Sequence, residues 1–254
     1  MYVACSTLCF ARFPLDQALR MIAELEFSKV DVAIHERGSH LRPSEVAKDL
    51  GLAAQRIRIG PSVSPAAFSV EIEAGDDETY RDQLRAICHL ARLSMVSVMT
   101  IPAASAGSGL DAEIKRLTSL VNLAEIEGIA LTVETRIGTL TENPETAVEL
   151  CKRVPGLGLT LDPSHYIAGP HQGKSFDAVF PYVRHVHLRD TGRGPEQFQV
   201  RIGQGEVEYG RIVAQLARCG YERLLTVEIC DIPDAPYAMD TEVRKLKYLL
   251  ESLV

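Results

Sequence analysis

The chain has 254 residues, 46% hydrophobic and 24% charged, with 27 basic against 34 acidic side chains and a formal net charge of −7. That composition is an ordinary globular protein's, at a length typical of one α/β barrel; the acidic balance argues against broad gripping of a nucleic-acid backbone. No apolar run is long enough for a bilayer, and Met1 to Phe10, with no basic residue ahead of it, does not read as a signal peptide.

The pattern from the N-terminus onward alternates short apolar runs with helical spacing. Strand-like runs are expected at Val3–Ser6, Lys29–Ile34, Ala54–Ile59, Met95–Thr100, Ala130–Glu134, Gly158–Asp162, His185–Leu188 and Leu224–Glu228. Between them lie sets of apolar residues three and four apart. These are Leu15, Ala18, Leu19, Ile22, Leu25; Tyr80, Leu84, Ile87, Cys88, Ala91; Ile114, Leu117, Val121, Ala124; Tyr209, Ile212, Val213, Leu216; and Val243, Leu246, Leu250. Asn143-Pro144 reads as an N-cap with proline at the first helical position. Gly128 and Gly220 stand where helices should end. The weakest helix falls within Ser175–Tyr182. Gly60–Ser69, with Pro61 and Pro65, reads either as a lid or as a plain surface connection.

Eight β-α units without a linker indicate a single (β/α)8 barrel domain spanning residues 1–254. A doubly wound open sheet would need a glycine-rich phosphate loop after its first strand, and that turn is Cys5-Ser6-Thr7-Leu8-Cys9. The six cysteines, Cys5, Cys9, Cys88, Cys151, Cys219 and Cys230, are scattered without a C-x-x-C pair. They read as buried free thiols of a reducing, cytoplasmic location.

In such a barrel the reactive groups gather at the C-terminal strand ends. Strand five ends in Glu134, strand six in Asp162 and strand eight in Glu228, while strand seven carries His185 and His187. Taken singly, each is explained by a cap, a surface charge or a satisfied core histidine. Four on adjacent strands are not, because three close carboxylates repel unless a cation joins them. Glu134, Asp162, His187 and Glu228 therefore read as ligands of one divalent metal. Oxygen donors with one imidazole suit Mn²⁺ first, then Mg²⁺, Co²⁺ or Fe²⁺.

The motifs Val133-Glu134, Leu161-Asp162-Pro163-Ser164-His165, His185-Val186-His187-Leu188-Arg189-Asp190 and Gly203-Gln204-Gly205-Glu206 ahead of Val227-Glu228-Ile229 cover the second half of the chain. This block resembles the xylose isomerase-like TIM-barrel superfamily, in its sugar phosphate isomerase/epimerase branch. The resemblance implies the same four ligands, places His165 toward substrate, and makes Arg193 similar to the substrate-oxygen clamp of ketose 3-epimerases. His185 fits the second strand-seven histidine, near the site and behind its ligands, and stands among the substrate-binding candidates. Where ketose epimerases carry a further glutamate this chain has Leu140, and where several dehydratases carry a histidine it has Arg136.

Further substrate-binding candidates follow from position. Arg136, two residues beyond Glu134, shares its face and reads equally as a substrate contact or as a salt bridge holding a ligand carboxylate. His35 reads as a substrate group or a loop histidine, and Arg201 as a substrate contact by alternation with Gln199. The expected activity is an isomerase or epimerase acting on a keto-sugar or keto-polyol, with Glu134 and Glu228 as the acid/base pair around a metal-stabilised enediolate. A dehydratase or lyase using the same site is the alternative. An endonuclease IV-like hydrolase and a non-catalytic sugar-binding barrel rank below it. The expected partner is a small sugar or polyol, without nucleic acid or membrane; a homodimer is a family-level expectation.

Overall fold

Alternation along each strand decides which side chains face the barrel axis. In strand five Leu131 and Val133 face outward beneath the helices, while Thr132 and Glu134 face in. A computed structural model describes residues 1–58, 63–233 and 235–254. In it the strands are β1 (Tyr2–Ser6), β2 (Lys29–His35), β3 (Ser64–Glu71), β4 (Val98–Ile101), β5 (Ala130–Glu134), β6 (Gly158–Leu161), β7 (Val183–Leu188) and β8 (Leu224–Val227). Each pairs in parallel with the next, and β1 pairs with β8, with Tyr2 opposite Leu224 and Cys5 opposite Val227. The sheet closes as an eight-stranded (β/α)8 barrel.

The helices are α1 (Leu15–Glu24), α2 (Pro43–Lys48), α3 (Leu50–Arg58), α4 (Asp77–Leu93), α5 (Leu110–Ile126), α6 (Pro144–Arg153), α7 (Ser164–Ile167), α8 (Tyr209–Arg218) and α9 (Met239–Glu251). Local sequence explains their ends. Asp76 accepts the Thr79 N–H at 2.8 Å to cap α4, and Asn143 accepts the Glu145 N–H at 2.9 Å ahead of Pro144 in α6. Gly128 and Gly220 follow α5 and α8 with φ of 74° and 71°. The weak segment is a 3-10 helix at Asp177–Tyr182. The shell between barrel and helices is apolar: Leu131, Val133, Leu159, Leu161, Val186 and Leu188 are all buried against it. Burying each contributes about 1.5–3 kcal/mol.

One strand is displaced from its expected place. Ala54–Arg58 belongs to helix α3, while Ile59 lies outside the described residues. Ala53, Ala54 and Ile57 are buried at helical spacing, and Asp49 accepts the Leu52 N–H at 2.9 Å to start the helix. Strand three is instead Ser64–Glu71, with Phe68 and Val70 buried. The proposed lid is corrected with it: Ser64–Ser69 is barrel strand, and Gly60, Pro61 and Ser62 lie outside the described residues. The thiols are all free, but Cys219 is exposed and Cys230 only partly buried. No helix among the described residues is long and apolar enough to cross a membrane.

Candidate active site

The inward positions of consecutive strands are polar, which an ordinary barrel core is not. Thr100, Thr132 and Thr160 form a hydroxyl floor, with the Thr160 oxygen 2.7 Å from each of the other two. Two residues further along the same faces stand Glu134 and Asp162. On β7 the alternation stacks His185 and His187, with Arg189 just past its end, and beyond β8 Glu228 follows Thr226.

These side chains form a ring of two overlapping groups, and the four expected ligands do not come together as one set. His187 Nδ1 lies 3.0 Å from Glu134 Oε1 and 3.3 Å from Glu228 Oε1. Glu134, His187 and Glu228 each offer a ligand atom within 4.8 Å of the others, and so do Glu134, Asp162 and His165. Glu134 is common to both groups. Asp162 is committed on both oxygens. Oδ1 accepts the Ser164 N–H at 2.9 Å and its hydroxyl at 2.5 Å; Oδ2 accepts Arg189 Nε at 3.1 Å and Nη2 at 2.7 Å. Arg189 Nη2 also reaches Glu228 Oε1 at 3.4 Å.

Beneath the ring lies Asp31, a buried carboxylate in the middle of β2. Its Oδ2 accepts from His185 Nε2 at 2.7 Å and from His187 Nε2 at 3.0 Å. That bond turns His187 Nδ1 up toward Glu134 and Glu228. Burial disfavours the Asp31 charge, but the two histidines override it and hold the group below the carboxylate range. His187 is pushed the other way. Burial opposes its charge, and the surrounding Glu228, Asp31 and Glu134 raise its proton affinity well above the ordinary value. His185 is lowered by burial, only partly offset by Asp31, and stays neutral.

The two glutamates differ in the same physical terms. Burial works against ionised Glu134, but the hydrogen bond and charge of His187 win and hold it ionised, well below its ordinary value. For Glu228 burial dominates, aided by the Glu134 charge and opposed by His187, and its pKa rises from 4.5 to about 7. One acid of the facing pair is held charged and the other close to neutral.

Above the ring a cavity of about 310 Å³ is lined by His35, Ser69, Glu71, Arg136, Phe198 and Cys230 together with Glu134, His165, Arg189 and Glu228. His35 Nε2 lies 3.3 Å from the Ser69 hydroxyl, and Arg136 is ion-paired with Glu71, 4.0 Å from Glu134 Oε2. His165 Nδ1 accepts the Ile137 N–H at 3.1 Å, so its proton sits on Nε2, facing the ring. Burial lowers its proton affinity despite Asp162 and Glu134, which keeps it a neutral donor. Phe198 packs on His165, with ring centroids 4.7 Å apart. The loop carrying it is tied down by Asp190, whose Oδ2 accepts the N–H groups of Gly203 at 2.8 Å and Gly205 at 3.0 Å. A Cβ on Gly205 would stand 2.2 Å from Asp190 Oδ1, so only glycine fits there. A wider hollow of about 480 Å³ at the opposite mouth, lined in part by Lys29, Arg184 and Arg223, contains none of the ring's acids.

Of the expected residues, Glu134, His165, Glu228, Arg136 and His35 line this space, while His187 and Asp162 are fully buried next to them. Three expected substrate groups lie elsewhere. Arg193 is 76% exposed in its side chain and paired with Glu206 at 3.1 Å, beside a different surface hollow. Arg201 pairs with Glu242 of α9 at 3.3 Å and braces that helix. His185 lies beneath His187 with no exposed surface, so it supports the ring from below. Sequence reasoning missed Asp31, Glu71 and Arg189. A charge amid the apolar run Lys29–His35 signalled Asp31, alternation beyond His187 signalled Arg189, and Glu71 was hidden by the misplaced third strand.

The donor set fits a hard divalent cation. Among the described residues, Glu228 Oε2 is buried without a hydrogen-bond partner, and Asp31 Oδ1 likewise. A dication beside Glu134, His187 Nδ1 and Glu228 would satisfy the orphaned glutamate oxygen, and the Asp31–His187 bond is the support such a ligand histidine uses.

Comparison with known proteins agrees with this architecture. The family described as xylose isomerase-like TIM barrel matches residues 19–249. An uncharacterised protein of Methanocaldococcus jannaschii is 26% identical over 134 residues, covering 50% of this chain and 45% of that protein, so the match spans less than half of the relative's length. A probable endonuclease 4 of Heliobacterium modesticaldum is 26% identical over 201 residues, 69% of this chain and 72% of its own. Among solved structures, a D-allulose 3-epimerase from Methylomonas sp. superposes with a TM-score of 0.76 at 14% identity, covering 100% of this chain and 98% of that one. The IOLI protein with a bound zinc atom gives 0.76 at 16%, and a xylose isomerase-like barrel from Mycobacterium smegmatis in complex with magnesium gives 0.74 at 18%, each with the same coverage. The closed barrel, the rim of acids and histidines and the family match over most of its length together make this chain a member of the xylose isomerase-like TIM-barrel family.

Proposed function

We propose that the protein is a divalent-metal-dependent isomerase or epimerase of a keto-sugar or keto-polyol. The observation that carries this reading is the facing pair Glu134 and Glu228, set on either side of His187 Nδ1 with proton affinities driven apart. A carboxylate held charged and a facing carboxyl held closer to neutral can exchange a carbon-bound proton beside a carbonyl. One removes it from the first face, the other returns one to the second, and in the reverse direction they trade roles. Glu134, His187 and Glu228, with Asp162 as a fourth, would hold the ion; when bound it supplies Lewis-acid polarisation of the substrate carbonyl. His165 Nε2–H donates to the substrate oxygen next to the reacting carbon. The Glu71–Arg136 pair and His35 offer the rim acceptors and donors that hydroxyl groups need, and Phe198 covers the space against water. A cavity of about 310 Å³ suits a monosaccharide-sized ligand.

A dehydratase or lyase outcome is the second reading, favoured by the raised pKa of Glu228, which suits it to protonate a departing hydroxyl. Incubation of keto-sugars with the protein and Mn²⁺ in D₂O separates the two. Isomerisation keeps every heavy atom and gains solvent deuterium at the reacting carbon; elimination loses water or an aglycone. Turnover should vanish in E134Q and in E228Q and be lost reversibly in EDTA. Full turnover in demetallated protein would refute the assignment.

A further inference from the structure

Arg189 is 4% exposed, yet it carries a charge that it cannot give up inside a protein. Every face of its guanidinium is engaged. Nε and Nη2 hold Asp162 Oδ2 at 3.1 and 2.7 Å, Nη2 reaches Glu228 Oε1 at 3.4 Å, Nη1 lies 2.9 Å from Cys230 Sγ, and the Phe198 ring centroid is 5.1 Å from its central carbon. The other Asp162 oxygen is held by Ser164. A buried carboxylate needs a cation beside it, and here that cation is already part of the chain.

We propose that Arg189 is a resident counter-cation of this site, occupying Asp162 and Glu228 in the metal-free protein, and that a divalent ion must displace its guanidinium from them to complete a four-ligand set. The inference rests on the metal site proposed above. The guanidinium already holds Asp162 Oδ2 and one oxygen of Glu228, two of the carboxylates proposed for the ion, and two cations placed that close repel each other in a dry pocket. A lysine there could lose its proton to make way; arginine has only movement. The aromatic platform of Phe198 and the partly buried Cys230 lie on the cavity side, the direction in which the side chain has room to shift. Arg189 is therefore a positioning residue: it keeps the acids in place when no ion is bound and sets how tightly one is captured.

The test is calorimetric titration of Mn²⁺ into demetallated wild-type protein, Arg189→Met and Arg189→Lys at mildly alkaline pH, with thermal melts in EDTA and in saturating Mn²⁺. Arg189→Met should bind Mn²⁺ roughly tenfold or more tightly than wild type. It should melt below wild type in EDTA and recover that difference when Mn²⁺ is added. Arg189→Lys should fall between the two in affinity; it also serves if Arg189→Met does not fold without metal. Equal or weaker Mn²⁺ binding by the folded variants would overturn the competition. Absence of divalent-ion binding by wild type and both variants would instead overturn the metal site itself.

Discussion

Replacing Glu228 by glutamine should make the metal-free protein more stable in alkali. The folded pKa lies above the ordinary 4.5, at about 7, so the protonated form stabilises the fold fully below pH 4.5 and that contribution is lost as pH rises through about 7. The interval is worth about 3 kcal/mol, at ~1.4 kcal/mol per tenfold change in proton affinity. Glutamine keeps the shape without the charge, but it also removes the acid that most raises His187's proton affinity, which offsets part of the gain. In EDTA near pH ~8.5, E228Q should therefore exceed wild type by roughly 1–3 kcal/mol, several degrees in melting temperature for a chain of this size. Near pH ~5, where wild-type Glu228 is protonated, the gap should close. Urea or thermal unfolding at the two pH values measures it. A gap of equal size at both, or a wild type that is the more stable in alkali, would show that burial does not control this carboxyl.

Two further outcomes follow from the supporting residues. Asp31→Asn removes the charged acceptor that aims His187 Nδ1 upward and should weaken Mn²⁺ binding about 10–100-fold by calorimetry; unchanged affinity would separate Asp31 from the site. Gly205→Ala puts a carbon 2.2 Å from Asp190 Oδ1 and 2.5 Å from the Thr191 carbonyl, so it should cost about 2 kcal/mol or more in unfolding free energy and loosen the Phe198 loop; an unaltered melting temperature would contradict that crowding.

Much of the molecule was legible in the chain itself. Period-two alternation in Leu131-Thr132-Val133-Glu134 and in His185-Val186-His187 specifies which groups face inward, because a strand's side chains have no other choice. Asn143-Pro144 and Gly128 mark helix boundaries by backbone chemistry that acts locally. The misassigned third strand shows where local pattern stops: Ala53, Ala54 and Ile57 are short and ambiguous, and the closure of β2 onto Ser64–Glu71 decides the matter through pairing that no single segment encodes. Arg193 and Arg201 had the right chemistry and spacing, yet Glu206 and Glu242, partners remote in sequence or across a loop, took them. The union of Asp31 with His185 and His187, and of Arg189 with Asp162 and Glu228, is likewise a product of the closed ring alone. Charge on a strand can be read in one dimension, but which opposite charge it meets depends on curvature that brings strands two, six, seven and eight to a common axis.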